Sequence, residues 1–123
     1  MFPVWMAPTQ IRICPVKDEY IPFCEELAAK FAAASVRCDV DDRADTVSKK
    51  IRNGEREWIP YILVAGEKEK ESGELMVRIR ATGAQEKMSF DALVGRIREE
   101  TAGMPYRPLP LPRLVSKRPI SFG

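Results

Sequence analysis

Apolar and polar residues change their period several times along this chain, and each change marks an element. Thr9 to Val16 (TQIRICPV) alternates with a period of two, the signature of a strand. Tyr20, Phe23, Cys24, Leu27, Ala28 and Phe31 then fall at helical spacing, which predicts a helix with a core-facing stripe that closes in alanines at Ala34. Asp18 is its expected N-cap, and Pro22 is tolerable because it falls in the first turn, where a missing N–H costs nothing. Val36 to Val40, β-branched at both ends, predicts a second strand. Asp45 or Thr46 can cap the next helix, on which Val47, Ile51, Gly54 and Trp58 fall near one line. Lys49, Arg52 and Arg56 fall opposite, within an arc of about 60° and flanked by Lys50.

Ile59 to Ala65 (IPYILVA) is the most continuous apolar run and too short for a buried helix, so it is the expected central strand, with Pro60 at its first residue. Gly66 to Gly73 is an expected charged loop, followed by a strand over Leu75 to Thr82. In that strand Leu75, Val77, Ile79 and Ala81 share one face, and Met76, Arg78 and Arg80 the other. The two strands with their Gly-bounded connection predict an antiparallel pair. Ser89 caps a last helix with an apolar stripe of Phe90, Leu93, Val94 and Ile97, which Gly103 ends. The order strand, helix, strand, helix, strand, strand, helix implies a mixed sheet with helices on its faces and an antiparallel pair near one edge. Residues 1–103 form the expected domain. Residues 104–123 hold five of the ten prolines and read as an extended tail, packed on the domain or on another domain outside this chain.

Composition narrows the chemistry. The 123 residues contain no histidine, which removes Ser–His–Asp and Cys–His catalysis and most zinc sites. Cys14, Cys24 and Cys38 form no CxxC pair and are expected as buried thiols, with no metal site. The net charge of +2 is uneven: the tail, with Arg107, Arg113, Lys117 and Arg118 and no acid, carries +4 and the body −2. Phosphate binding must therefore come from local clusters. No apolar run is long enough to span a bilayer, and the Pro-broken start lacks the basic lead of a secretory signal. A cytoplasmic protein with no membrane partner is the expectation.

Asp39, Asp41 and Asp42 lie where an α/β fold often binds ligands. Loop and capping roles suit them better than a magnesium or ribose site, because no phosphate loop accompanies them. Glycines 54, 66 and 73 form neither GxGxxG nor GxxxxGK. The 66–80 segment carries more information. Glu67, Lys68 and Glu69 enter it, and Arg78 and Arg80 leave it. Arginine is a planar fork that stacks on a base or grips guanine O6 and N7, and a carboxylate can accept guanine's Watson–Crick donors. Splayed bases of this kind are how proteins read RNA sequence. From the residues alone, recognition of an RNA loop and plain cross-strand Glu–Arg pairing both stay open.

The stretches DVDDR, TVSKKIR, EWIPYILVAGEKE, ESGEL and VRIR, with the lead WMAPTQIRICPV and the ending PLPLPRLVSKRP, are spread from Trp5 to Pro119. Together they resemble the C-terminal anticodon-binding domain of class II aminoacyl-tRNA synthetases. Within that group of glycyl, histidyl, prolyl and threonyl enzymes, the similarity is to the archaeal threonyl type. The resemblance implies an α/β fold with a mixed, mostly parallel sheet of about five strands flanked by three helices. Four strands are clear above; the fifth is expected near Lys87 or in the tail. It implies that the chain grips the anticodon loop of threonine tRNA, reading the second and third bases, G and U. Glu69 and Arg78 match the family's base-reading positions. Arg43, Lys49, Arg52, Lys68 and Arg80 are the expected phosphate and backbone contacts. Ala44 and Thr46 stand where bacterial members of the family often have Asn or Lys, a departure that bears on the third-base contacts and leaves open which residues make them here. No class II ligase motif occurs in the 123 residues. ATP, magnesium and any zinc therefore belong to an absent catalytic domain, and the chain itself is expected to need no cofactor and to be monomeric. A stand-alone interaction domain on the same fold, the equivalent module of a prolyl, histidyl or glycyl enzyme, and a small flavodoxin-like enzyme are the alternatives.

Overall fold

A computed structural model describes residues 3–119. Its elements are β1 (Ile11–Pro15), α1 (Ile21–Ala33), β2 (Cys38–Val40), α2 (Val47–Arg56), β3 (Tyr61–Ala65), α3 (Glu67–Ser72), β4 (Glu74–Ile79), β5 (Gln85–Ser89) and α4 (Phe90–Glu100). The five strands form one sheet in the order β2-β1-β3-β4-β5, with β3 at the centre as expected. β1 pairs with β2 and β3 in parallel; β4 pairs with β3 and β5 antiparallel. The sheet is thus evenly mixed, with a smaller parallel share than expected. The fifth strand is the segment around Lys87.

Apolar side chains divide between the two faces by strand alternation. Ile11 and Ile13, Tyr61 and Leu63, and Leu75, Val77 and Ile79 meet Leu27 and Phe31 of α1 and Leu93, Val94 and Ile97 of α4 in the main core. On the opposite face Cys14, Ile59 and Ile62 pack under Val47 and Ile51 of α2. Gly54 lets α2 approach this closely: a Cβ there would stand 2.9 Å from Ile62 Cδ1. Thr46 caps α2 through the Lys49 amide, at 3.2 Å, and Ser89 caps α4 through that of Ala92, at 3.1 Å.

Several expectations need correction. Residues 67–72 are not a loop but the short helix α3, a fourth helix beside the expected three. Acids in its first turn suit the positive helix end, and Gly73 closes it at φ 76°. The fourth strand ends at Ile79; residues 80–82 turn toward β5. Lys50 does not flank the basic face: it is buried, with Nζ donating to the Pro15 carbonyl at 3.4 Å. Trp58 does not continue the apolar line of α2 into the core, for it is 51% exposed.

Asp39 is neither cap nor loop. It sits inside β2, fully buried, opposite an equally buried Arg12. Its Oδ1 accepts from Arg12 Nε (3.0 Å), and its Oδ2 from Arg12 Nη2 (2.9 Å), Thr9 Oγ1 (3.1 Å) and Arg118 Nη2 (2.7 Å). Arg12 also pairs with Glu57 at the end of α2. The tail runs along the outer edge of β2. The Arg113 carbonyl accepts from the Val40 amide, Leu114 bridges Val40 in parallel, and Ser116 donates twice to Asp42. The guanidinium of Arg37, buried beside this edge, donates to the carbonyls of Trp5, Ala7 and Arg107, and burial lowers its pKa. The tail thereby occupies hydrogen-bonding positions that an edge strand otherwise leaves open.

Candidate nucleic-acid interface

The α2 face of the sheet is only half covered. α2 lies over β1 and β3 and α3 meets β3 and β4, while the outward side chains of β4 and β5 between them stay half-buried or exposed. Register places Val64 opposite Met76, Met76 opposite Lys87, and Arg78 between Ile62 and Gln85. Val64, Met76 and Arg78 are half-buried, and Gln85 and Lys87 are exposed. The result is an open strip of sheet walled by α2 on one side and α3 on the other.

Two depressions lie along this strip. Toward α3, one of about 650 Å³ is lined by Lys68, Glu69, Met76 and Lys87 together with Glu71, Ser72 and Glu74. Toward the end of α2, one of about 310 Å³ is lined by Glu55, Trp58, Ile62, Arg78 and Arg80 with Ile79 and Gly83. Met76 and Arg78 are successive outward residues of β4, so the depressions adjoin. Glu69 and Arg78 therefore face the same strip from its two ends. The carboxylate beside Arg78 is that of Glu55, with Arg78 Nε 3.6 Å from Glu55 Oε1 and both side chains more than a third exposed. A pair this wet holds loosely and leaves the Arg78 fork free to exchange partners.

The expected phosphate contacts separate into engaged and free groups. Arg43 closes its fork on the buried Asp41 at 2.9 and 2.8 Å. That bond, outweighing burial, raises the Arg43 pKa. Burial works against the Asp41 carboxylate, but Arg43 outweighs it and holds the carboxyl below its ordinary range. Arg80 is also committed: Nη1 donates to the Glu55 carbonyl at 2.7 Å, and its guanidinium lies over the Trp58 ring at 4.1 Å. Lys49 is exposed, with Asp45 one turn away at 3.3 Å. Arg52 and Lys68 are exposed. Sequence inspection missed Glu55, Trp58 and Lys87 as members of this surface. Only the register of β4 with β5 brings Lys87 beside Met76, and only the turn after α2 brings Trp58 to Arg80.

A family model described as "Anticodon binding domain" matches residues 10–100. The chain belongs to this family. Among curated proteins, this anticodon-binding domain is similar to the threonine–tRNA ligase of Pyrococcus furiosus, 49% identical over 119 residues, 97% of this chain and 19% of that protein. The threonine–tRNA ligase of Pyrobaculum calidifontis is 53% identical over 117 residues, 95% of this chain and 19% of that protein. Among solved structures, the RNA binding domain of threonyl-tRNA synthetase from Cryptosporidium parvum matches with a TM-score of 0.76 and 25% identity. That match covers 85% of this chain and 26% of the other. The chain thus spans about a fifth of the curated relatives it matches, and those relatives extend well beyond an anticodon-binding domain. Among the described residues no helix is long and apolar enough to cross a membrane, and no group of three or more His, Cys, Asp or Glu is placed to hold a metal ion.

Proposed function

We propose that this domain holds the anticodon loop of threonine tRNA for a threonine–tRNA ligase. In this reading Glu69 and Arg78 read the second and third anticodon bases, G and U, on the open strip. Lys49, Arg52 and Lys68 grip phosphates, and Arg43 and Arg80 support the surface from fixed positions. The observation that carries the proposal is the open strip of sheet between α2 and α3. A strip flanked by a carboxylate at one end and a loosely paired guanidinium at the other suits splayed bases, and its rim of exposed cations suits the backbone. Similarity to archaeal threonine–tRNA ligases over nearly the whole chain supports the choice of tRNA. ATP, magnesium and the ligation itself belong, in this proposal, to the remaining four-fifths of such an enzyme. The rest of that enzyme is the domain's other partner, and the domain by itself is monomeric.

The test is a fluorescence titration with anticodon stem-loops. Binding should weaken on raising salt, as phosphate contacts require. Replacing the second base G should cost about 1–3 kcal/mol, the worth of one good bidentate contact. Because proline anticodons share the second G and differ at the third base, a U-to-G change there separates the threonyl reading from the prolyl one. Arg78→Ala should erase most of the second-base preference. Lys49→Ala should weaken all loops alike and reduce the salt slope by about one. Equal affinity for all four second bases would reject the readout and favour a borrowed interaction fold.

A further inference from the structure

We infer that Trp58 and Arg80 form a third base subsite beside Arg78, which takes the variable first anticodon base by stacking and does not read its identity. The inference rests on the function proposed above and extends it by one nucleotide. Trp58 terminates α2: its own amide donates to the Glu55 carbonyl at 3.1 Å, and the Ile59 amide reaches back to the Gly54 carbonyl at 3.2 Å. This termination puts Trp58 at φ 61°, a left-handed conformation. Glycine is the usual occupant of that position, and a bulky aromatic there is an outlier. Packing does not account for it, since half of the side chain lies in solvent. Backbone strain at an exposed aromatic is the kind of feature that clusters where ligands are clamped.

The surroundings identify the ligand chemistry. The Arg80 guanidinium, fixed by the Glu55 carbonyl, lies over the indole, so a planar cation rests on a planar ring. Both line the cavity of about 310 Å³ that also contains Arg78. A base gripped by Arg78 therefore has an adjoining chamber walled by flat, stackable groups. Phosphate is disfavoured there, because Glu55 presents its carboxylate and α2 ends with its negative dipole pole at the same place. Every base has a π-face, so stacking binds without sequence preference. That property suits the first anticodon base, which varies among threonine tRNAs while G and U stay constant.

The experiment compares stem-loops carrying each of the four bases, or an abasic site, at the first anticodon position. Wild-type chain should bind the four bases within about threefold of one another and the abasic loop about tenfold more weakly, a typical worth for one base stacked on an aromatic ring. Trp58→Gly should bind intact loops about tenfold more weakly and respond no further to the abasic site, and Trp58→Phe should recover most of the loss. Urea unfolding of each variant reports on the fold independently. If the abasic loop binds wild-type protein as well as intact loops do, the inference is overturned. It is equally overturned if Trp58→Gly keeps a full tenfold response to the abasic site. Either result alongside an intact second-base preference leaves the proposed function standing. Failure of every stem-loop to bind overturns both.

Discussion

Asp39→Asn removes one charge from the most enclosed part of the molecule. Asp39 and Arg12 have no exposed side-chain surface, and Arg118 is only 10% exposed. Burial works against the Arg12 charge, yet Asp39 and Glu57 together hold its pKa above the ordinary arginine value. The native carboxylate accepts four hydrogen bonds, one on Oδ1 and three on Oδ2. An amide can keep its oxygen at the Oδ2 position, but its NH₂ then faces Arg12 Nε, donor against donor. The buried guanidinium would keep the neutral amide oxygen at Nη2 but would depend on Glu57, which is half exposed, for a compensating charge. Removing one member of a buried pair typically costs about 3–5 kcal/mol. With Glu57 still present, about 3 kcal/mol is expected, a large share of the roughly 5–15 kcal/mol of a whole domain. Urea unfolding followed by circular dichroism should show a lower midpoint at unchanged slope. Arg118→Ala alone should cost about 1–2 kcal/mol, chiefly its charge-assisted bond to Asp39, and less when combined with Asp39→Asn, because that bond then ends on a neutral oxygen while the Nε bond to the Pro112 carbonyl is lost in either background. Arg12→Met added to Asp39→Asn should recover much of the loss by removing the stranded charge. A loss below about 1 kcal/mol for Asp39→Asn, at unchanged slope, would refute the account of a buried, mutually dependent network.

Two further outcomes are expected. Gly73→Ala meets no atom within 4 Å but must hold φ 76°, so its cost is conformational, about 1 kcal/mol; because Gly73 ends the helix carrying Lys68 and Glu69, second-base discrimination should fall with the urea midpoint. Burial pushes the Cys14 and Cys24 thiols up to about 12, whereas unfolded thiols ionise near about 8.5. Their contribution is complete below the unfolded value and is lost as pH rises toward the folded one, at about 1.4 kcal/mol per pH unit for each thiol. The urea midpoint should therefore fall between pH 8 and 10.5, and Cys14→Ala with Cys24→Ala should flatten that fall; an unchanged slope against pH would refute burial as its cause.

What was legible in the sequence follows the range of the interactions. The stripes of α1 and α4, the alternation of β4, and the caps Thr46 and Ser89 depend on neighbours within a turn or a strand, and periodicity reveals them. Helix α3 was missed because EKEKES has no apolar stripe; acids in its first turn and Gly73 at its end are its only local signals. β5 was hard to see because QEKMS lies at the sheet edge with mostly exposed side chains, so burial imposes little apolar pattern on it. Asp39 and Lys50 looked like surface residues because their partners are distant in sequence: Arg12 and Arg118 for the first, the Pro15 carbonyl for the second. Of the candidate site, Glu69 and Arg78 were found through the family resemblance. Glu55 and Trp58 depend on how α2 ends, and hydrophobic pattern does not report that.

The sheet separates the residues that stabilise the fold from those that face the proposed RNA. Arg12, Ile62 and Arg78 are register neighbours across β1, β3 and β4. The two arginines thus point to the same face about 10 Å apart, at the usual strand spacing. α2 covers one and leaves the other open. Their acidic partners also differ, Asp39 and Glu57 for Arg12 and Glu55 for Arg78. Groups this far apart with no shared partner contribute nearly independently. Loss of Asp39 should therefore lower stability while the surviving folded molecules keep their base preference. Loss of Arg78, whose pair is solvent-screened, should remove that preference while the urea midpoint barely moves. If the two effects proved inseparable, α2 would have to transmit them, since it meets Arg12 through Glu57 and Arg78 through Glu55.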